Sequence, residues 1–253
     1  ETSSGNIPRQ EDVYIKTEPG QGLYTWIDYN NNGIKEFNEF EIAIYKDQAE
    51  YLRVALPNLT FINTQRAKWA QTFVINPSQW STKNGVKKFI SHFYNQTQFI
   101  IDNEQQRSEN SFNLNPFDTD ESKLLGLNYS FRNSFYLNKN IRNYSFIYTY
   151  ATSKNKSLYF IGKQENNTLL HQLEFNHQLG KFWVAEFSTN FSENYLDTEN
   201  FNNQNYQINT FEVNPKFVFE YSKTHQFSFF YAYKQKENKI LGLDELSQQK
   251  LGS

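Results

Sequence analysis

LLGLNYSFRNSFYLN, residues Leu124–Asn138, decides how the rest of the chain is read. Leu125, Leu127, Tyr129, Phe131, Phe135 and Leu137 fall on one face of an extended chain. Gly126, Asn128, Ser130, Arg132, Ser134 and Asn138 fall on the other. Successive side chains of a strand point to opposite faces, so this is a strand with one aromatic and one small polar face.

The same period of two recurs downstream. Tyr144, Phe146, Tyr148 and Tyr150 alternate with Asn143, Ser145, Ile147 and Thr149; Leu169, Leu173, Phe175 and Leu179 alternate with Gln172, Glu174, Asn176 and Gln178. Trp183, Ala185, Phe187 and Phe191 stand against Glu186, Ser188 and Asn190. Phe211, Val213, Phe217, Phe219 and Tyr221 stand against Glu212, Asn214, Lys216 and Glu220, and Phe227, Phe229, Tyr231 and Tyr233 repeat the pattern. Residues 89–101 and 156–164 alternate less cleanly. The polar strings NKN (138–140), SKNK (153–156), LGK (179–181) and SKTH (222–225) read as hairpin turns. Residues 102–122 and 193–205 read as long connections. On this strand count they lie at opposite ends of the sheet, against the habit of bacterial barrels, which keep long loops on one side.

Composition narrows the environment. The 253 residues carry a net charge of -2, which offers no basic field for nucleic acid. Cysteine is absent, and with it disulfides, thiolate metal sites and thiol nucleophiles. Mean hydropathy is low, at -0.78. Aromatic residues nevertheless make up 18% of the chain, 24 of them Phe and 17 Tyr. A disordered chain is poor in aromatics, and a soluble core is built chiefly of Leu, Ile and Val. Aromatics on one strand face and Asn, Ser, Thr and Gln on the other suit a barrel whose outside meets lipid and whose lumen is polar. Tyr144, Trp183, Tyr221 and Tyr233, near strand ends, suit interfacial girdles. No run approaches the roughly 18 apolar residues of a membrane helix.

The fold expected is therefore all-β: an antiparallel up-and-down transmembrane β-barrel of roughly eight or more strands, part of a larger barrel. Residues 1–20 read as a linker and 21–85 as a small mixed α/β segment, in which EFEIAIYKDQAEYLRVAL is a helix or a helix turning into a strand and Pro57 and Pro77 act as breaks. Residues 86–253 read as the barrel strands. Residues 240–253 lack both alternation and a terminal aromatic, so no closing strand is expected there. The strands near Phe89 and Tyr233 must then pair with something else, because bare backbone edges are costly in hydrocarbon.

One motif lies outside the strands. DYNNNGIKEFNE, residues 28–39, fits an EF-hand-type loop. Asp28, Asn30 and Asn32 supply alternate oxygens, Gly33 the sharp turn, Ile34 a backbone carbonyl and Glu39 a two-handed carboxylate. Two of the early ligands are uncharged Asn, Lys35 stands where an apolar residue is usual, and TWIDY enters as a strand. The loop reads either as a weak structural Ca2+ site or as an Asn-Gly turn held by side-chain hydrogen bonds. His92, His171, His177 and His225 are scattered, with no metal spacing, and no catalytic motif is present. Glu174, Glu186 and Glu212 share the polar face and are expected to pair with Arg132 or Lys216.

GLYTWIDYNNNGIKEFNEFEIAIYKDQAEYLRVALPNLTFI resembles a segment of very large cell-envelope proteins of Bacteroidota. There a G-x-Y-x-W-x-D-x-N-x-x-G-x-x-x-x-N-E-F-E string and a D-Q-A-x-Y-x-R-V string precede a C-terminal outer-membrane barrel. The matching residues are Gly22, Tyr24, Trp26, Asp28, Asn30, Gly33, Asn38, Glu39, Phe40 and Glu41, then Asp47, Gln48, Ala49, Tyr51, Arg53 and Val54. The Lys- and Asn-rich composition looks flavobacterial. The resemblance implies a Gram-negative outer-membrane location and a chain that is a piece of a longer protein. The function expected is a non-enzymatic outer-membrane component of an envelope assembly, secretion or uptake complex. Its partners would be outer-membrane lipid and other outer-membrane or periplasmic proteins. Two alternatives stay open: a soluble calcium-stabilised β-sandwich adhesin or binding module, and a barrel enzyme acting on lipid.

Overall fold

Alternation becomes strand wherever it is strong. In the computed structural model, described over residues 1–107, 115–118, 120–141, 143–159, 162–199, 204–222, 225–240 and 246–252, twelve strands form one sheet. They are β1 (Thr2–Lys16), β2 (Tyr24–Trp26), β3 (Phe40–Ile42), β4 (Tyr51–Ile75), β5 (Phe93–Gln106) and β6 (Leu124–Leu137), followed by β7 (Tyr144–Tyr159), β8 (Gly162–Leu179), β9 (Trp183–Thr198), β10 (Tyr206–Ser222), β11 (His225–Asn238) and β12 (Leu246–Gly252). A five-residue helix, α1 (Val86–Ile90), sits between β4 and β5. From β4 to β12 each strand pairs antiparallel with the next in sequence. The tight turns use residues that tolerate positive φ: Asn138 (57°) and Asn140 (65°) between β6 and β7, and Gly180 (71°) between β8 and β9.

Several sequence expectations are corrected. Residues 2–16, read as a linker, form β1, which pairs with β4 from Lys16↔Tyr51 to Thr2↔Ala67. Within the segment 21–85, β4 belongs to the same sheet as the later strands, paired with β5 from Thr64↔Gln106 to Ile75↔Asn95. Residues 39–56, read as a helix or a helix turning into a strand, are β3, a 3-10 turn at Lys46–Gln48 and the start of β4, so the strand part holds and the helix does not. Pro57 does not break the chain: β4 passes through it opposite Gln10, beside a register shift at which β4 carries the extra residues. SKNK is no turn. Residues 153–156 continue β7, and the chain reverses between Tyr159 and Gly162. Removing that false turn places the connections after β5 and after β9 at the same end of the sheet, so the expected conflict between them disappears. Residues 246–252 form β12 against the upper half of β11. The strand near Phe89 does not begin there, since Phe89 lies in α1, and β5 is covered on both sides by β4 and β6.

The sheet is open, not a closed barrel. Eight successive antiparallel pairings separate β4 from β12, an even number, so the two outer strands run in the same direction. β1 covers β4 only as far as Ala67, with Lys68 bonded to the backbone of Glu1. Below that point Trp69–Ile75 pair with β5 alone.

Above Thr64, β4 outruns β5 and continues with β1 as a two-stranded ribbon carrying β2 and β3. Tyr14 stacks on Phe40 at 3.9 Å and meets Tyr24 edge-on, and Phe40 meets Tyr51. The ribbon bends over the end of the sheet. Arg53 pairs with Asp12 at 2.6 Å and, across the gap, with Glu199 after β9 at 3.3 Å.

Candidate functional site

Register turns the two-faced strands into rungs that cross the sheet. On the aromatic face the rungs are Leu179–Trp183–Phe219–Phe227, Tyr144–His177–Ala185–Phe217–Phe229, Phe146–Phe175–Phe187–Pro215–Tyr231, Tyr148–Leu173–Thr189–Val213–Tyr233 and Tyr150–His171–Phe191–Phe211–Gln235. Many of these rings are open to the surroundings, with Phe229 58% exposed and Phe217 47%. The next rung, Thr152–Leu169–Glu193–Asn209–Glu237, begins a charged collar. Within the collar Glu165 pairs with Lys154 at 3.0 Å and Lys156 at 3.1 Å, Lys156 reaches Glu121 at 2.7 Å, and Gln207 donates to Glu193 at 2.8 Å.

The other face is polar and more enclosed. One rung runs Gln96–Ser134–Thr149–Gln172–Asn190–Glu212–Lys234 without an apolar residue. Thr149 is 4% exposed and Ser134 6%, and their hydroxyls are 3.2 Å apart. The exposed large rings lie on the aromatic face, so the polar face is the less exposed of the two in this part of the sheet. Glu186 pairs with Lys216 at 2.9 Å, as expected. Glu212 pairs with Lys234, and Glu174 accepts from Gln172 at 2.6 Å; neither partner was anticipated. Glu186 and Lys216, and Glu212 and Lys234, stand directly opposite each other on neighbouring strands, whereas Gln172 and Glu174 are two residues apart on β8.

The histidines have separate partners. His171 bonds the Tyr148 hydroxyl at 2.8 Å, His177 the Asn143 carbonyl oxygen at 2.9 Å and His92 the Asn138 side chain at 2.6 Å. The side chain of His225 lies outside the described residues. At the collar end, residues 115–118 lie against the aromatic face: Phe117 stacks on Phe99 and meets Trp69 edge-on, while Asn103 donates to the Asp118 carbonyl oxygen at 2.8 Å. Next in this connection, the hydroxyl and backbone N–H of Ser122 hold the Asp120 carboxyl below its ordinary range. The Lys156 ammonium does the same for Glu121.

The 28–39 loop is built on β2 and closed by a 3-10 turn at Phe37–Glu39. Asp28 accepts from the backbone N–H of Asn32 at 3.2 Å and of Gly33 at 2.8 Å. Asn30 Oδ1 accepts from Asn32 N–H at 3.0 Å, and Asn32 Oδ1 from Ile34 N–H at 2.6 Å. Asn31 and Gly33 take positive φ, 56° and 70°. The Ile34 side chain is exposed. Glu39 is 1% exposed, with Oε2 bonded to the Trp26 indole N–H at 2.9 Å and the Glu36 N–H at 3.3 Å. Trp26 and Glu36 were not among the predicted site residues. Trp26 stands two residues before Asp28, where strand alternation already places both on one side. Among the described residues no three His, Asp or Glu side chains gather as a metal cluster.

Comparison with known proteins returned no match among family models, curated proteins or solved structures.

Proposed function

We propose that the chain is a non-enzymatic β-barrel segment of a Gram-negative outer membrane, serving in an envelope assembly, secretion or uptake complex. The observation that carries this reading is the five-rung aromatic band, exposed on one face and ended by a charged collar. Four rung spacings of two residues span about 27 Å along a strand. With the usual tilt of about 40° that is roughly 20 Å along the membrane normal before side chains are added, against an apolar band of about 25 Å. In water such a band would be a large unshielded apolar surface, far beyond what monomers expose. Lipid covers it without a second protein layer. The polar rungs then face a lumen, with Glu186 and Glu212 paired to Lys216 and Lys234. Among the described residues no helix is long and apolar enough to cross a membrane, so strands are the crossing elements in this reading.

The test is labelling of single cysteines in the otherwise cysteine-free chain, reconstituted in lipid. Phe131, Phe146, Phe187, Phe219 and Phe229 replaced by Cys should react with a bilayer-confined reagent. Ser130, Ser145, Ser188 and Glu220 replaced by Cys should react only with a water-soluble one. Equal labelling of the two sets, or a monodisperse chain without detergent, would defeat the proposal.

A further inference from the structure

The feature that the membrane reading does not use is the buried carboxylate of Glu39. It is 1% exposed. Its Oε2 is held by the Trp26 indole N–H and the Glu36 backbone N–H, which belong to the entering and leaving arms of the 28–39 loop. The carboxylate is thereby fixed between the arms. Its second oxygen, Oε1, is shut from solvent and has no hydrogen-bond partner. A buried carboxylate oxygen without a donor is strongly unfavourable, and paired protons or a cation are what normally relieve it.

We propose that the 28–39 loop binds one Ca2+ through Asp28, Asn30, Asn32, the Ile34 carbonyl and Glu39, whose Oε1 is the oxygen the protein leaves without a partner. The donors are all hard oxygens at alternate positions of a tight turn, the set that suits calcium. Two carboxylates and two amides give it a low charge, so affinity is weak and Mg2+, which resists dehydration, is a poor substitute. The loop's own cation engages aromatic rings. Lys35 lies over the rings of Trp26 and Tyr51, at 5.4 and 4.9 Å. Through Phe37 and Phe40, both against Tyr14, an ion here would brace the ribbon of β1 and β4. The site does not depend on the membrane reading and is tested apart from it.

The probe is Tb3+ luminescence sensitised by Trp26 in the purified full chain, displaced by added Ca2+. Displacement is expected at sub-millimolar to millimolar Ca2+, of the order of extracellular modules, and not by Mg2+ at the same concentration. Asp28→Ala should abolish the signal. Asn30→Asp, which adds a ligand charge, should tighten Ca2+ by about tenfold. Glu39→Gln should weaken it at least as much. Should Glu39→Gln fail to fold, the loop-tip pair Asp28→Ala and Asn30→Asp decides. Luminescence unchanged by Asp28→Ala, equal displacement by Mg2+, or no displacement by about 10 mM Ca2+ in a chain of unchanged strand content would overturn the site.

Discussion

Single residues set the junctions of this sheet. Gly22 is the sharpest case. A Cβ there would lie 2.5 Å from the Tyr51 nitrogen, 2.6 Å from the Tyr51 oxygen and 2.8 Å from the Ala49 oxygen. Those are backbone atoms of the β2–β4 junction and cannot rotate aside. Gly22→Ala should cost about 1–3 kcal/mol or more, read as a lower denaturant midpoint and earlier proteolysis near residue 50. Gly5→Ala, whose Cβ would meet only the Thr64 hydroxyl at 3.6 Å, should stay within about 0.5 kcal/mol. The lowered carboxyls of Asp120 and Glu121 make the 115–123 connection acid-sensitive. A folded-state pKa below the unfolded one contributes stability above the unfolded value, and that contribution is lost as pH falls through the folded one. Amide exchange in this connection, corrected for its intrinsic pH dependence, should therefore rise below about pH 4 while the central strands hold.

At the scale of the strand, what matters is the rung a residue occupies. Phe187 sits on the middle rung of the aromatic band and Glu193 in the collar, on the same face of β9. In a bilayer Phe187→Arg should cost about 2–4 kcal/mol and Glu193→Arg about 0–1 kcal/mol. In an aqueous sheet the exposed Phe187 would accept Arg with little change. Refolding into vesicles, followed by urea titration, separates the two outcomes. The same scale explains the missed turn. Ser153, Lys154, Asn155 and Lys156 have turn-like composition, yet their backbone groups stay in the ladder to β8. Lys154 and Lys156 find Glu165 across the strand, so charge here marks the end of the apolar band and not the end of the strand.

At the scale of the whole molecule the decisive fact is parity. β4 and β12 run the same way, so direct closure would need a parallel seam, rare in bacterial barrels. An antiparallel closure needs an odd number of further strands. Cysteines at Gln71, Phe73 or Ile75, each combined with one at Lys250, should give no intrachain disulfide in lipid, scored by gel mobility under oxidising conditions. A cross-link within one chain would mean that these nine strands close on themselves.

The alternation of Leu124–Leu137 and its repeats was enough to establish strands, faces and most turns, because the pleat is a local property of the backbone. The oxygen pattern of residues 28–34 was likewise readable, since the hydrogen bonds that Asp28, Asn30 and Asn32 accept span no more than five residues. β1 was not readable. TSSGNIPRQEDVYIK has no alternating apolar set, and it is a strand only because β4 offers it a ladder along 51–67. The same holds for β3 and the start of β4, whose helix-like spacing was overridden by pairing with β2 and β1. The buried, half-satisfied Glu39 also emerged only from the fold, because burial depends on what packs above a residue and not on its neighbours in sequence. Pattern within a strand is decided by sequence, whereas edges, curvature and orphaned atoms are decided by which strands meet.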